Sequence, residues 1–313
     1  MKFSIITVCK DSEKTLENAI LSVINQTYKN FEYIIIDGLS TDTTLNIVEK
    51  YRDKISQVIS EPDAGLYDAM NKGIKLATGD YLFFLNSDDQ FLHNDVLELV
   101  AEKCAVFDQN VIPNQNVIPN SFRDLSNSEL LLESQNGQML KQVQHDSPQV
   151  PHDSKTIRIE SLPELLYGDI AVLNKKTGKL SVQKHNKFNK IYLLKNTPCQ
   201  PGTFYKKDTF NKYGCFDINY KIVSDHEWFL RVFLKHNISA KYLDFPINIF
   251  NIGGISTNKN REEKLIVERN NMLDKYFTKF ERASYEFISK NCRSLTTTPV
   301  ISDLLNLIYK FNL

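Results

Sequence analysis

The chain has 313 residues, 42% hydrophobic and 24% charged, ordinary values for a globular protein of one or two domains. Its 38 Lys and Arg balance 38 Asp and Glu, which argues against a general nucleic-acid binder, because such a protein needs excess cation to displace counterions. No apolar run is long enough to span a bilayer. The amino-terminal run is too short, and too closely followed by acids, for a signal peptide. The 5 scattered cysteines, with no CxxC, fit neither a disulfide framework nor a zinc knuckle, so a cytoplasmic setting is expected.

The first hundred residues alternate strand and helix signals. Phe3–Cys9 is a β-rich run, and over 13–25 the residues Leu16, Ile20, Val23 and Ile24 share one helical face. Phe31–Asp37 (FEYIIID) is almost continuously apolar, as a strand covered on both faces must be. A helix is predicted over 43–51, with Asp42 or Thr43 as its cap. A third strand follows over 55–61 and a helix over 67–77, which Thr78-Gly79-Asp80 stops. YLFFLN (81–86) is the fourth strand. This order predicts an open, mostly parallel α/β sheet with its ligand at the carboxyl ends of the strands.

The pattern then breaks. Residues 108–154 are rich in Asn, Gln, Ser, Pro and Asp, with NVIPN at 110–114 and 116–120, and HDS at 145–147 and 152–154. The stretch resembles translated copies of an intergenic repeat element and reads as an inserted loop with one short helix near 128–140. Its His and Asp residues leave a metal site open, but a solvated loop is the expectation. Order resumes with a strand at 167–173, a hairpin turn at 175–179, a turn and strand at 200–207 and a helix at 225–236. A charged helix is predicted over 262–280. The segment 301–313 is amphipathic, suited to docking on its own domain or to lying in a membrane interface.

Acids cluster where strands end. Asp37 closes the second strand, Glu61-Pro62-Asp63-Ala64-Gly65 follows the third, and Asn86-Ser87-Asp88-Asp89 follows the fourth. Carboxylates at this edge suit a nucleotide, or a hard divalent cation that shares its shell with substrate phosphates. Each is equally readable as a turn, which Asn, Ser and Asp favour. Asp225 and Glu227 open a helix, where an Asp either caps the end or does chemistry, and where the dipole is expected to hold its carboxyl ionised. Lys72 and Arg231 are candidate phosphate partners. No G-x-x-x-x-G-K-[ST], G-x-G-x-x-G or Ser/His/Asp arrangement is apparent.

SIITVCKD, IIIDGLSTDTT, SEPDAGLYDAMNKGIKLATGDYLFFLNSDD, QPGTFYKK and SDHEWFLRVFLKH fall in the order seen in family 2 glycosyltransferases. The chain resembles the branch that builds bacterial O-antigen, colanic-acid-like and capsular polysaccharides. That resemblance covers 2–103 and 165–254. It implies a GT-A fold, a nucleotide-sugar donor, a divalent cation (Mn²⁺ or Mg²⁺) and inversion at the anomeric carbon. By resemblance Asp88, with Asp89 beside it, faces the metal, in a motif whose first Asp is Asn86 here. Asp37 contacts the nucleobase, with Gly38 where a second Asp is common. Asp63, Lys72 and Asp88 line the nucleotide-sugar site, while Gln200 and Glu227 fall on the acceptor side. Asp225 is the catalytic base, with Ser224 in place of the usual Glu before it.

The implied organisation is a donor half (1–107), the insertion (108–158), an acceptor half (159–255) and a helical extension (256–313). The acceptor is expected to be a saccharide or lipid-linked saccharide, met at the inner face of the membrane by peripheral contact. Two rival functions are a sugar nucleotidyltransferase, which would show a glycine-rich loop where Cys9-Lys10-Asp11-Ser12 stands, and a degenerate nucleotide-sugar-binding protein, which the Asn86 substitution motivates.

Overall fold

A computed structural model describes residues 1–108, 158–173, 178–184, 190–196, 200–236, 238–251 and 262–291. The donor half is laid down as β1 (Phe3–Cys9), α1 (Leu16–Ile24), β2 (Phe31–Asp37), α2 (Thr44–Lys50), β3 (Gln57–Ser60), α3 (Leu66–Leu76) and β4 (Tyr81–Phe84). These four strands are parallel, in the order β3-β2-β1-β4. Every residue of β1 is buried. Alternate side chains feed two layers, as a pleated strand requires. Phe3, Ile5, Tyr33, Ile35 and Phe83 pack beneath α1, while Ile6, Ile34, Ile36, Leu82 and Phe84 pack against α3. Gly79, which stops α3, lies against the start of β1, where a Cβ would come within 2.8 Å of the Phe3 and Ser4 backbone.

Next come β5 (Gln90–Phe91), α4 (Val96–Asp108), β6 (Leu165–Leu173), β7 (Leu180–Gln183), α5 (Lys190–Lys195), β8 (Thr203–Lys206), α6 (Lys207–Tyr213), α7 (Ser224–His236) and β9 (Ala240–Asn251). Helices α8 (Glu262–Tyr276) and α9 (Lys279–Asn291) follow. The sheet continues β4-β8-β6-β9-β5, with β7 on β6. Beyond β4 the polarity is mixed: β8 runs antiparallel to β4 and β6, β9 is parallel to β6, and β5 is antiparallel to β9. The sheet curls, so that Phe91 of β5 stacks on Phe83 of β4 with ring centroids 5.0 Å apart. Trp228 of α7 is fully buried and meets Tyr205, Phe210 and Phe229 edge-on or tilted. Burial of one such ring stabilises by about 1.5–3 kcal/mol.

The sequence reading of β1, β2 and α7 agrees with the structure within a residue. β4 ends at Phe84, two residues short of the expected strand. Helix α4 and strand β9 were not anticipated. In β9, Pro246 and the positive φ of Asp244 (60°) interrupt the pattern, and a register shift opposite Asp169 absorbs the proline. The single helix expected over 262–280 is two. Thr278 ends the first, and its reciprocal bonds with Glu281 (Thr278 N–H to Oε2, 2.7 Å; Glu281 N–H to Thr278 Oγ1, 3.2 Å) start the second as a capping box. The helix near 128–140, nearly all of the 108–158 insertion, most of the 175–179 hairpin turn and the 301–313 segment lie outside the described residues.

Candidate active site

Parallel pairing brings the carboxyl ends of β1, β2 and β3 level, with Cys9 opposite Asp37 and Asp37 opposite Ser60. Asp37 is fully buried. Its Oδ2 accepts from Ser60 Oγ (2.6 Å) and Ser40 N–H (3.0 Å), and its Oδ1 accepts from the Ser40 hydroxyl and from Cys9 Sγ (3.7 Å). The carboxylate expected to meet a nucleobase is therefore saturated from within, and it ties the loop after β2 to the ends of β1 and β3. Above it, Asp11 (φ 47°) and Leu39 (φ 61°) take left-handed backbone, a costly conformation for non-glycine residues. Leu39 is 51% exposed. The loop after β1 reaches the NSDD turn through Ser12 Oγ and Ser87 Oγ, 3.0 Å apart.

Gly38 and Asp63 share one space. A Cβ at Gly38 would overlap Asp63 Oδ2, so Asp63 fills the room a side chain at 38 would need. Asp63 Oδ1 accepts the Gly65 N–H (2.9 Å), and Gly65, at φ 126°, starts α3. Lys72 is engaged locally. Its ammonium meets Glu61 (2.9 Å), the Pro62 carbonyl (2.7 Å) and Asp68 (3.8 Å), so it clasps the loop it was expected to reach beyond.

In the NSDD turn the two acids differ. Asp89 is 1% exposed, its Oδ1 accepting the Asn251 N–H (3.1 Å) and its Oδ2 the Asn86 amide (3.1 Å). It shapes the turn. Asp88 is half-buried, and its backbone carbonyl accepts from the Asn251 amide. Asn86 Oδ1 is a buried acceptor with no hydrogen-bond donor. Asp88 and Asn86 Oδ1 thus offer hard oxygen donors of the kind Mg²⁺ or Mn²⁺ takes when substrate phosphates complete the shell. Among the described residues no group of three His, Cys, Asp or Glu side chains could hold a metal alone.

Asp225 lies in the first turn of α7, half-buried. Its Oδ1 is 2.8 Å from the hydroxyl of Tyr67, in the first turn of α3. Since α3 leaves the carboxyl end of β3, Asp225 is at the same edge as Asp37, Asp63 and Asp88. Burial raises its carboxyl to about 6 against the lowering hydrogen bonds of Tyr67 and of the helix backbone. The helix end does not lower the Asp225 carboxyl as expected, because desolvation outweighs the dipole here.

Glu227 does not join Asp225. It is 1% exposed and turned to the other side of α7, where Arg231 (3.3 Å), Lys275 (3.5 Å) and the Tyr276 hydroxyl surround it. Arg231 also donates to the Tyr213 and Cys215 carbonyls, so it holds structure rather than phosphate. His226 is neutral, held by burial at about 4, and its Nε2 meets the Leu193 carbonyl (2.6 Å).

On the acceptor side Gln200 is buried in the short 3₁₀ turn Gln200–Gly202 that leads into β8, and its Nε2 has no partner. Gly202 sits so close on β6 that a Cβ would be 3.1 Å from Ile170 Cγ2. Asn248 pairs with Ile170 in register, and both its amide atoms are buried without partners.

Three residues absent from the expected site support it. Tyr67 touches Asp225. Asn71 brackets Phe216, donating to its carbonyl (2.8 Å) and accepting its N–H (3.0 Å). Glu268 of α8 accepts the N–H groups of Lys221 (2.5 Å), Ile222 (2.7 Å) and Val223 (3.1 Å), just before α7. The amide of Asn71, on the same helical stripe as Tyr67, Met70 and Ile74, is the one signal the sequence offers.

The family model described as glycosyl transferase family 2 matches residues 4–165, just over half of the chain. A PGL/p-HBAD biosynthesis glycosyltransferase of Mycobacterium bovis is 24% identical over 261 residues, covering 81% of this chain and 78% of its own. In fold the chain is similar to S. aureus TarS solved in complex with UDP-GlcNAc (TM-score 0.55, 17% identity, 96% of this chain and 77% of that one). It is also similar to the mannosyltransferase PcManGT of Pyrobaculum calidifontis, solved with GDP-Man and Mn²⁺ (TM-score 0.51, 10% identity, 99% and 80%).

Proposed function

The chain belongs to glycosyl transferase family 2, and on that premise we propose that it moves a sugar from a nucleoside-diphosphate donor to a saccharide hydroxyl by a single inverting displacement, in assembly of a bacterial surface glycan. The observation that carries the reading is the placement of Asp225, a half-exposed carboxylate at the sheet edge where Asp63 and Asp88 also lie. The structural neighbours were solved with UDP-GlcNAc and with GDP-Man and Mn²⁺, which supports a nucleotide-sugar donor and a divalent cation.

Asp88 and Asn86 Oδ1 would hold the cation, which supplies charge neutralisation on the departing diphosphate. Asp89 and Asn251 keep that turn in shape. Asp37 acts indirectly: it fixes the Ser40 and Ser60 loops, leaving Leu39 and the strained Asp11 backbone to face a base. Asp63 and Lys72 set the loop between donor and acceptor halves. Asp225 takes the proton of the attacking hydroxyl. A carboxylate near 6 is a weak base toward a free alcohol, but the alcohol grows acidic as its bond to the anomeric carbon forms. Gln200 offers an uncharged amide on the acceptor side, which matches sugar hydroxyls. The acceptor carrier is proposed to be membrane-bound. No described helix is long and apolar enough to cross a membrane.

A thermal-shift panel of UDP-, GDP-, dTDP- and CMP-sugars with and without Mn²⁺, followed by release of nucleoside diphosphate on adding a saccharide acceptor, tests the reading. One donor class should raise the melting temperature by mass action, more strongly with the metal. Absence of any stabilisation, together with no diphosphate release, would overturn it.

A further inference from the structure

The Tyr67 hydroxyl has one proton and two acceptors. It lies 2.8 Å from the Ile222 carbonyl oxygen and 2.8 Å from Asp225 Oδ1. Tyr67 is 5% exposed, and its burial beside Asp225 pushes the phenol well above its ordinary value, so it keeps its proton throughout. A phenol can donate to only one acceptor at a time, whereas its oxygen can also accept. Ionised, Asp225 can only accept. Protonated, it can also donate.

We propose that Tyr67 is the positioning residue of the base, its single proton directed to Asp225 while that carboxylate is ionised and turned to the Ile222 carbonyl once Asp225 has taken a proton. This assignment rests on Asp225 being the base. In the transfer step the acceptor O–H bond breaks and its proton goes to Asp225, while the acceptor oxygen bonds to the anomeric carbon. The bond from that carbon to the diphosphate oxygen breaks, and its electron pair leaves with the diphosphate. Tyr67 neither gains nor loses a proton. Its O–H swings to Ile222, and its oxygen accepts from the new carboxylic acid. Each state thus keeps the Asp225 carboxyl paired with Tyr67, with only a hydroxyl rotation between them. An unpaired buried group is what such a step would otherwise create.

The surroundings leave this role to Tyr67. From α8, Glu268 adds a like charge but spends its oxygens on the backbone N–H groups of 221–223. His226 is turned to Leu193 and Glu227 to Arg231 and Tyr276, while Lys221 Nζ donates to the Ala64 carbonyl (3.0 Å). Among these groups Tyr67 alone gives Asp225 a side-chain hydrogen bond. Glu268 pins the 221–223 segment through its N–H groups, and Tyr67 adds a bond to the Ile222 carbonyl only when its proton turns there.

The test titrates Asp225 in the free full-length protein carrying ¹³C-carboxyl aspartate, with Asp225→Asn identifying the resonance. Loss of a hydrogen bond to the charged form should raise the midpoint in Tyr67→Phe by about one to two pH units. The acid limb of kcat/KM should move up with it, donor affinity should hold, and most of the lost rate should return at higher pH. Should Tyr67→Phe fold poorly, 3-fluorotyrosine at position 67 donates more strongly and should move the midpoint down. An unmoved midpoint, or a rate loss equal at every pH, would overturn the role and leave Tyr67 as packing. If no donor supports transfer, the proposed function fails, while the carboxyl titration still decides whether Tyr67 controls Asp225.

Discussion

Replacing Asp225 with Asn should make the protein more stable and nearly inactive at once. Burial raises the Asp225 carboxyl from the ordinary 3.8 to about 6. A group whose folded value is raised favours the fold when protonated. Its contribution is fully present below about pH 4 and is lost as pH rises through about 6. Two pH units correspond to roughly 2.7 kcal/mol. Part of Asp225 is exposed, so solvent screening reduces the penalty for ionisation at neutral pH to about 1–2 kcal/mol. Asn cannot ionise, and its carbonyl still accepts from Tyr67. Denaturant unfolding should therefore show Asp225→Asn more stable than wild type by about 1–2 kcal/mol at pH 8, with the gap closing by pH 4. Transfer should fall about 10²–10⁴-fold, the usual loss of a general base. A variant that is less stable at pH 8, or a gap that ignores pH, would refute the desolvation argument. Retention of more than about a tenth of the rate would refute the base.

Glu227→Gln leaves Arg231 and Lys275 without their buried partner, which should cost about 3 kcal/mol and lower the melting temperature by about 5 °C, with turnover per folded molecule far less affected than in Asp225→Asn. Asp88→Ala should abolish the effect of Mn²⁺ on nucleoside-diphosphate binding by calorimetry; equal metal dependence in both proteins would remove Asp88 from the cation site. Gly38→Ala must displace the Asp63 carboxylate, so donor KM should rise while the melting temperature hardly moves; an unchanged KM would detach Asp63 from the donor site. Glu32, which burial alone would raise, is instead held at about 2 by Ser4, Thr78 and Lys2. Its contribution is lost as pH falls from about 4.5, so Glu32→Gln should flatten the acid limb of the stability profile and leave neutral activity intact.

The strands that could be read directly, β1 and β2, are buried along nearly their whole length, so each shows as a short, almost continuous apolar run of β-forming residues. Val96, Leu97, Val100, Ala101 and Cys104 carry helical spacing too, behind Asn94-Asp95 as a ready cap, so α4 is legible in the sequence although it is not among the expected elements. β9 was concealed because its proline is tolerated only through a bulge that another strand supplies. At the site, residue type and strand-end position pick out acids that the fold gathers at one edge of the sheet, yet the contacts each makes depend on distant partners. Asp37 is saturated by Ser60, 23 residues on, and Asp225 is met by Tyr67, 158 residues back. Chain order does not display such pairs. The difference between Asp225 and Glu227 is one of helix face, which two residues of spacing imply but their surroundings decide.

The reversal of polarity at β8 has a consequence for how this enzyme tolerates added sequence. Lys206, at the end of β8, pairs with Tyr81 at the start of β4, so β6 and β9 both begin at the sheet rim opposite the acids. The last turn of α4 is anchored there, with Lys241 at the start of β9 over the Phe107 ring (5.1 Å). The chain returns there as well, where Lys206 Nζ donates to the Ile159 carbonyl (2.6 Å) and Tyr81 to the Pro163 carbonyl. Both points of attachment of 109–157 are thus on the rear rim, with the sheet between them and Asp225. Growth or loss of sequence at that seam is therefore expected to change the length of the polypeptide without moving Asp225, and the rear rim is a place to try lengthening, tagging or trimming this fold.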